Sequence, residues 1–441
     1  MTFTLCVFAI SVALMIFSVL FKPYIKIGKA RLGLYYIITV IGAAVLLISG
    51  ELPLSFAIDK ITAETAVNPI KILALFISVS LISLYLGNSG FFDFIAEKVF
   101  TKTDKGGLKL FIILFAVVSL LTAFTSNDIV ILTFTPPVCI FCKKAKVSPV
   151  PYLFGEFVAA NVWSMALIIG NPTNVYLAGS FGISFFNYLS VMALPAVAAG
   201  IVSLAVLLLI FRKPLSATAN AGGYNELSFG KENRVPVRIN RTLMGISLTH
   251  LFICLVLLAA AEFIGLETYL VCVICALSLT VFYAVYCIIK EKTLKRVIKV
   301  FAGAPYELIP FVLSMFVLVL ALSYCNFTEK LSDALVAGKP ADGVRFGFLS
   351  AASSNLLNNI PMSVLFEKII AGKSVSALYG AVIGSNIGAF ITPVGALAGI
   401  MWSKILSDYG VKFPFWKFFV FGGLVAIPTL AAATFTLLIT L

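Results

Sequence analysis

Apolar runs of bilayer-spanning length recur along the chain: Phe3–Leu20, Gly33–Ser49, Ile70–Leu86, Phe185–Phe211, Leu243–Ala261, Tyr269–Ile289, Leu308–Tyr324 and Phe418–Leu441. About 20 residues of helix cross a hydrocarbon core, so the pattern predicts an all-α polytopic membrane protein. Polar residues interrupt the pattern at two places. Thr125-Ser126-Asn127-Asp128 breaks an apolar stretch from Leu108 to Phe141. Ser353-Ser354-Asn355, with Asn358-Asn359-Ile360-Pro361, does the same in the other half. Lipid cannot hydrogen-bond such groups, so they must face protein, water or a bound solute.

Each interruption reads as the tip of a re-entrant hairpin. Around the first, Lys102, Lys105 and Lys109 lie on one flank and Lys143, Lys144 and Lys146 on the other. A single span would put one basic cluster outside, whereas a hairpin puts both in the cytoplasm. Beyond each hairpin a helix is broken, first at Gly170-Asn171-Pro172-Thr173-Asn174 and then at Thr392-Pro393-Val394-Gly395. Glycine and proline stop a helix there and free backbone groups for ligands. Short amphipathic segments, Gly90–Phe100 and Phe327–Val336, precede the hairpins and read as interfacial helices.

The expected layout is two inverted repeats, about ten transmembrane helices and two re-entrant hairpins, with broken helices at the midplane. Residues 1–211 form the first repeat, with a hairpin over 108–143 and a broken helix over 150–180. Residues 212–241 form a cytoplasmic linker. Residues 242–441 form the second repeat, with a hairpin over 345–371 and a broken helix over 377–406. This layout puts 25 of the 32 Lys and Arg on the cytoplasmic side and 7 outside, with both termini outside. Paired discontinuous helices in two inverted halves point to a secondary transporter of the cell membrane.

Composition narrows this further. The chain of 441 residues is 61% hydrophobic and 12% charged, well below the quarter usual in soluble domains. Its net charge of +13 follows from the basic cytoplasmic loops and calls for no nucleic acid. The first apolar run lacks a basic leader and a small-residue cleavage site, so it reads as a retained helix. The eight cysteines lie mostly inside spans and have no disulfide or zinc spacing. No metal site and no cofactor are expected. No nucleophile–base pair or HExxH site is present, so an enzyme is not expected.

Asp128 is the one acid placed near the bilayer centre, where a carboxylate is costly. It reads as a proton-coupling group, the alternative being a hydrogen-bonded hairpin tip. The candidate substrate-binding residues are Ser126, Asn127, Asn171, Thr173, Asn174, Asn358, Asn359, Thr392 and Gly395. Their amides, hydroxyls and backbone groups donate and accept without net charge. Several could equally cap the broken helices. His250, the sole histidine, reads as a packing residue on a scaffold helix, as do Trp163 and Trp402.

At these residues the chain resembles a known family. Phe124-Thr125-Ser126-Asn127-Asp128 with Ile131-Leu132-Thr133 and Pro136 is similar to the first hairpin of bacterial arsenite efflux pumps. Those pumps belong to the ion transporter superfamily. Asn358-Asn359-Ile360-Pro361 resembles their second hairpin, and Gly388 to Leu397 their second broken helix. The Asn-Asp tip resembles the arsenite branch, while anion symporters carry Ser-Asn-Thr and sodium/proton antiporters Asp-Asn. Ile129 departs from the Gly usual in those pumps. The resemblance implies proton-coupled efflux of arsenite or antimonite by an elevator motion. The alternative is a sodium/proton antiporter, or a sodium- or proton-coupled carrier of another small anion. A channel gated by a partner ATPase is a further rival. Partners implied are a small inorganic solute and the lipid bilayer, with room for a homodimer and a partner ATPase.

Overall fold

Asparagine, serine and proline set several helix starts. Asn68 Oδ1 accepts from the backbone N–H of Ile70 (2.8 Å) and Lys71 (3.2 Å), with Pro69 in the first turn of the helix it begins. Asn240 and Ser374 cap two later helices in the same way, through the N–H of Leu243 and of Ala377. The computed structural model describes residues 1–22, 24–27, 30–64, 68–101, 107–145, 147–219, 239–370 and 372–441.

The first half contains α1 (Thr2–Phe21), a two-stranded antiparallel ribbon β1 (Tyr24–Ile27) and β2 (Ala30–Gly33), α2 (Leu34–Ile48), α3 (Leu54–Thr62), α4 (Pro69–Asn88), α5 (Phe91–Thr101), α6 (Gly107–Phe124), α7 (Asn127–Ala145), α8 (Val150–Trp163), α9 (Pro172–Ser180) and α10 (Phe185–Ala219). The second contains α11 (Arg241–Ile264), α12 (Thr268–Tyr286), α13 (Lys295–Ala302), α14 (Leu308–Tyr324), α15 (Phe327–Leu335), α16 (Asp342–Leu357), α17 (Asn359–Ile370), α18 (Val375–Gly388), α19 (Leu397–Asp408) and α20 (Phe415–Thr440).

The halves match element by element, α1 with α11 through α10 with α20. Packing obeys the same exchange. α2 lies on α14 and α4 on α12, α7 on α19 and α17 on α9, and α10 runs against α20. This two-fold relation is the inverted repeat expected from the sequence.

Six helices outside the hairpins are long and apolar enough to cross a membrane: α1, α4, α10, α11, α12 and α20. α6 also meets that criterion. The remaining crossings of the expected ten are assembled from α2 (15 residues), α14 (17 residues), and the broken pairs α8–α9 and α18–α19. Large apolar side chains such as Phe252, Phe282 and Ile439 stay exposed on the outer helices, as a lipid-solvated surface requires.

α5 does more than lie at an interface. Its Phe92 and Phe100 contact Phe134 and Phe141 of α7, the latter pair stacked at 4.6 Å. α15 packs likewise on α17 and bends 79° away from α14. Each amphipathic arm therefore docks on the second arm of the following hairpin.

Three boundaries differ from expectation. α10 runs to Ala219, so the linker expected from 212 begins as helix, and residues 220–238 lie outside the described ones. The second interruption is a single residue, Asn358 (φ 72°), because Ser353, Ser354 and Asn355 complete the last turn of α16. Between the first two spans, Tyr24–Ile27 pairs with Ala30–Gly33 as a ribbon, an element the apolar pattern does not announce.

Candidate functional site

The first hairpin turns at Thr125 and Ser126, and α7 starts at Asn127. Asn127 Nδ2 donates to Asn161 Oδ1 of α8 at 3.2 Å. α8 begins at Val150, so Asn161 stands about 17 Å along it at 1.5 Å per residue. That is roughly half of a ~30 Å hydrocarbon core. The second tip clasps the break of its own half. Asn358 Nδ2 donates to the carbonyl of Val394 (3.1 Å) and the Asn359 N–H to that of Gly395 (3.1 Å). Asn355 joins them: Thr392 Oγ1 donates to its Oδ1 (2.6 Å), and its Nδ2 donates to the Gly388 carbonyl (2.9 Å).

Gly395 has no room for a side chain, since a Cβ would stand 2.9 Å from the Gly388 carbonyl and 3.0 Å from Asn355 Oδ1. Gly170 is its counterpart, with the Ser164 carbonyl against the same position.

The two broken helices are tied together by Asn386 of α18. Its Oδ1 accepts from Ser164 Oγ (2.7 Å) and Asn171 Nδ2 (2.9 Å). Its Nδ2 donates to Asn174 Oδ1 (2.7 Å) and the Val382 carbonyl (2.8 Å). Every site on this amide is used. Asn174 Nδ2 donates to the carbonyls of Ser164 (2.8 Å) and Leu167 (3.1 Å). Asn171 Oδ1 caps α9 through Thr173 N–H (3.1 Å), and Thr173 Oγ1 meets Ser385 Oγ at 3.1 Å. Asn171, Thr173 and Asn174 thus hold the crossing together.

The first tip differs from this crossing in keeping polar atoms open. Ser126 Oγ and Asn127 Oδ1 are buried without a hydrogen-bond partner among the described residues, and so is Thr122 Oγ1 one turn earlier. A native protein leaves few such groups, so these are the atoms best placed to hold a solute or ion.

Besides Asp342, whose carboxylate accepts from the backbone N–H groups of Ala337 and Lys339, four acids lie in or beside the embedded segments. Glu156 accepts from Thr135 Oγ1 (2.9 Å), Glu367 pairs with Lys368 Nζ (3.0 Å) and Glu307 accepts from the Tyr35 hydroxyl (2.8 Å). Of the four, Asp128 alone has no partner among the described residues. It lines a cavity of about 250 Å³ walled by Ile129 and Leu132 of α7, Phe76, Ser80 and Leu84 of α4, Tyr35, Tyr24, Met401, residues 303–305, Glu307 and Leu308. The cavity separates the hairpin and broken-helix group from α2, α4 and the start of α14. Among the described residues no Lys, Arg or His lines it.

His250 uses both ring nitrogens, on the Ile246 carbonyl (2.8 Å) and Ser278 Oγ (3.1 Å), as a packing histidine does. Trp402 is buried against Phe157 and Phe418. Among the described residues no group of three or more His, Cys, Asp or Glu could hold a metal ion.

Asn161, Ser164, Ser385 and Asn386 were not among the sequence candidates. Internal comparison would have found two of them. Val150, Leu153, Gly155, Asn161 and Gly170 recur as Val375, Leu378, Gly380, Asn386 and Gly395, each pair 225 residues apart. Pro172 and Leu397, the first residues of α9 and α19, keep the same spacing. The residues before them share extended backbones, φ −149° at both.

Comparison with known proteins agrees with this architecture. The model of the citrate transporter family matches residues 12–377. The arsenical pump membrane protein of Escherichia coli is 29% identical over 385 residues, covering 83% of this chain and 87% of that protein. A putative arsenical pump membrane protein of Bacillus subtilis is 26% identical over 420 residues, covering 90% and 92%. The crystal structure of the Alcanivorax borkumensis YdaH transporter covers 99% of this chain and 97% of its own, with a TM-score of 0.55 at 15% identity, which supports the fold.

Proposed function

The chain belongs to the citrate transporter family, and on that premise we propose that it is a secondary carrier exporting arsenite or antimonite in exchange for protons. The observation that carries this reading is Asp128, unpaired at a half-depth hairpin tip and facing the cavity between two helix groups. Ionised, it holds one negative charge; protonated, it is neutral and crosses lipid at lower cost. The hairpins and broken helices would move as one unit against the remaining spans, with α5 and α15 as connecting arms. Protons would bind from outside and leave to the cytoplasmic side, which carries the basic loops.

The cavity favours an uncharged solute over a polycarboxylate. Among the described residues Asp128 and Glu307 are its charged lining groups. A carboxylate ~6 Å from another, at an effective dielectric of ~40, is opposed by about 1.4 kcal/mol per charge pair. Trivalent arsenic trihydroxide is neutral in water and hydrogen-bonds through hydroxyls. The naming of the relatives points the same way.

A second reading is a sodium/proton antiporter or a sodium-coupled carrier. It is favoured by the unsatisfied Ser126 Oγ and Asn127 Oδ1, two oxygens suited to a small cation. A resistance assay in an arsenite-sensitive host separates the readings. The chain should raise arsenite and antimonite tolerance, and Asp128→Asn should remove the gain. Equal sensitivity with and without the chain would reject arsenite export.

A further inference from the structure

The acidic cavity places a second carboxylate opposite Asp128, on the other side of the interface. Glu307 stands at the amino end of α14, where the helix dipole favours negative charge. The buried Tyr35 hydroxyl of α2 holds it at 2.8 Å. Asp128 belongs to the hairpin group, and Glu307 to the spans that hairpin would slide against. Among the described residues, the titratable groups around Glu307 are Tyr35 and Tyr36 on α2, Tyr24 on β1, exposed Tyr306 beside it, and Asp128 on α7. Lys404 of α19 lies over the Tyr24 ring at 5.7 Å, at the rim, and is exposed. The cavity is bounded by Tyr24, which lies between Lys22 and Lys26 in the first basic loop, and by Gly303, Ala304, Pro305 and Glu307, which follow the basic stretch from Lys290 to Lys299.

We infer that Glu307 is a coupling residue: a fixed charge that penalises the conformation open to the basic-loop side whenever Asp128 is ionised. The inference rests on the proposed proton role of Asp128 and adds the element that makes movement depend on protonation. With Asp128 protonated, the hairpin tip faces Glu307 without repulsion and the carrier occupies this state freely. When the proton leaves, two like charges share one cavity, and the balance tips toward the opposite state, which the ionised carrier reaches with its solute bound. Across a cavity of this size, at an effective dielectric of ~40, the population shifts roughly five- to ten-fold. Tyr35 is a positioning residue, since its hydroxyl holds the Glu307 carboxylate on the cavity wall.

Labelling of the cavity wall reads this directly. Leu84→Cys, in a chain with Cys6→Ser, is exposed to an impermeant maleimide on the basic-loop side of sealed vesicles between pH 5.5 and 8.5. Rates are normalised to the same thiol in unfolded protein, which removes the intrinsic pH dependence of the reagent. The rate should fall roughly five- to ten-fold as pH rises. Glu307→Gln, which keeps an acceptor for Tyr35, should hold the rate at its low-pH value throughout. Glu307→Asp, which keeps the charge, should restore the fall and shows that the site tolerates substitution. A Glu307→Gln profile identical to the parent overturns the inference. If Asp128→Asn also leaves the profile unchanged, the proton role of Asp128 fails with it. A flat Asp128→Asn profile beside a parental Glu307→Gln profile rejects Glu307 alone.

Discussion

Asn161 and Asn386 occupy equivalent places in the two repeats, yet the structure gives them unequal work. Replacing Asn386 by Ala removes the acceptor for Ser164 and Asn171 and the donor to Asn174. Ser164 Oγ has a second acceptor in reach, the Asn161 carbonyl at 2.7 Å. Asn171 Nδ2 and Asn174 Oδ1 are left buried without partners. Each stranded polar group costs about 1–3 kcal/mol, so Asn386→Ala should destabilise by about 4 kcal/mol. Asn161→Ala strands one group, Asn127 Nδ2, at about 1–2 kcal/mol. Thermal unfolding in detergent, followed by intrinsic fluorescence, should show Asn386→Ala melting roughly 5–10 °C below Asn161→Ala, taking about 2–4 °C per kcal/mol for large domains. Equal melting of the two variants would refute the view that Asn386 holds the crossing, and the division between structural and free amides would fall with it.

Three further outcomes follow from the same geometry. Gly170→Ala pushes a methyl into the Ser164 carbonyl, which also accepts from Asn174, and should lower stability by about 1–3 kcal/mol in the same melting assay. Glu156→Ala removes the acceptor of the buried Thr135 hydroxyl and should cost about 1–3 kcal/mol, whereas Glu156→Gln keeps an acceptor and should cost less than ~1 kcal/mol. Cysteines placed beside Lys109 and Lys143, on opposite arms of the first hairpin, should react with an impermeant reagent from one and the same face of the membrane; reaction from opposite faces would replace the hairpin with a span.

The scaffold was legible because lipid imposes a severe rule. Runs such as Leu243–Ala261 admit one reading, and Ser126-Asn127-Asp128 is too polar to face hydrocarbon. The crossing network was less legible because Asn386 sits in the last turn of an apolar helix, between Ser385 and Ile387 and six residues ahead of the Thr392-Pro393 interruption. Its meaning lies in partners more than 200 residues away. The candidates also divided in a way the sequence could not show. Asn171 and Asn174 looked equivalent to Asn127 as amides, but tertiary packing consumed the first two and left an acceptor open on the third. The facing of Glu307 and Asp128 depends on how α14 meets the first hairpin, which periodicity does not encode.

The central claim is that Asp128 carries the proton exchanged for the exported solute. Everted membrane vesicles holding an acid-inside gradient, with a fluorescent reporter of that gradient, test it most directly. Antimonite added outside should dissipate the gradient in vesicles containing the chain, and antimonite should accumulate inside as it does so. Asp128→Asn, inserted to the same level, should abolish both signals. Undiminished antimonite-dependent proton flux in the Asp128→Asn vesicles would contradict the account.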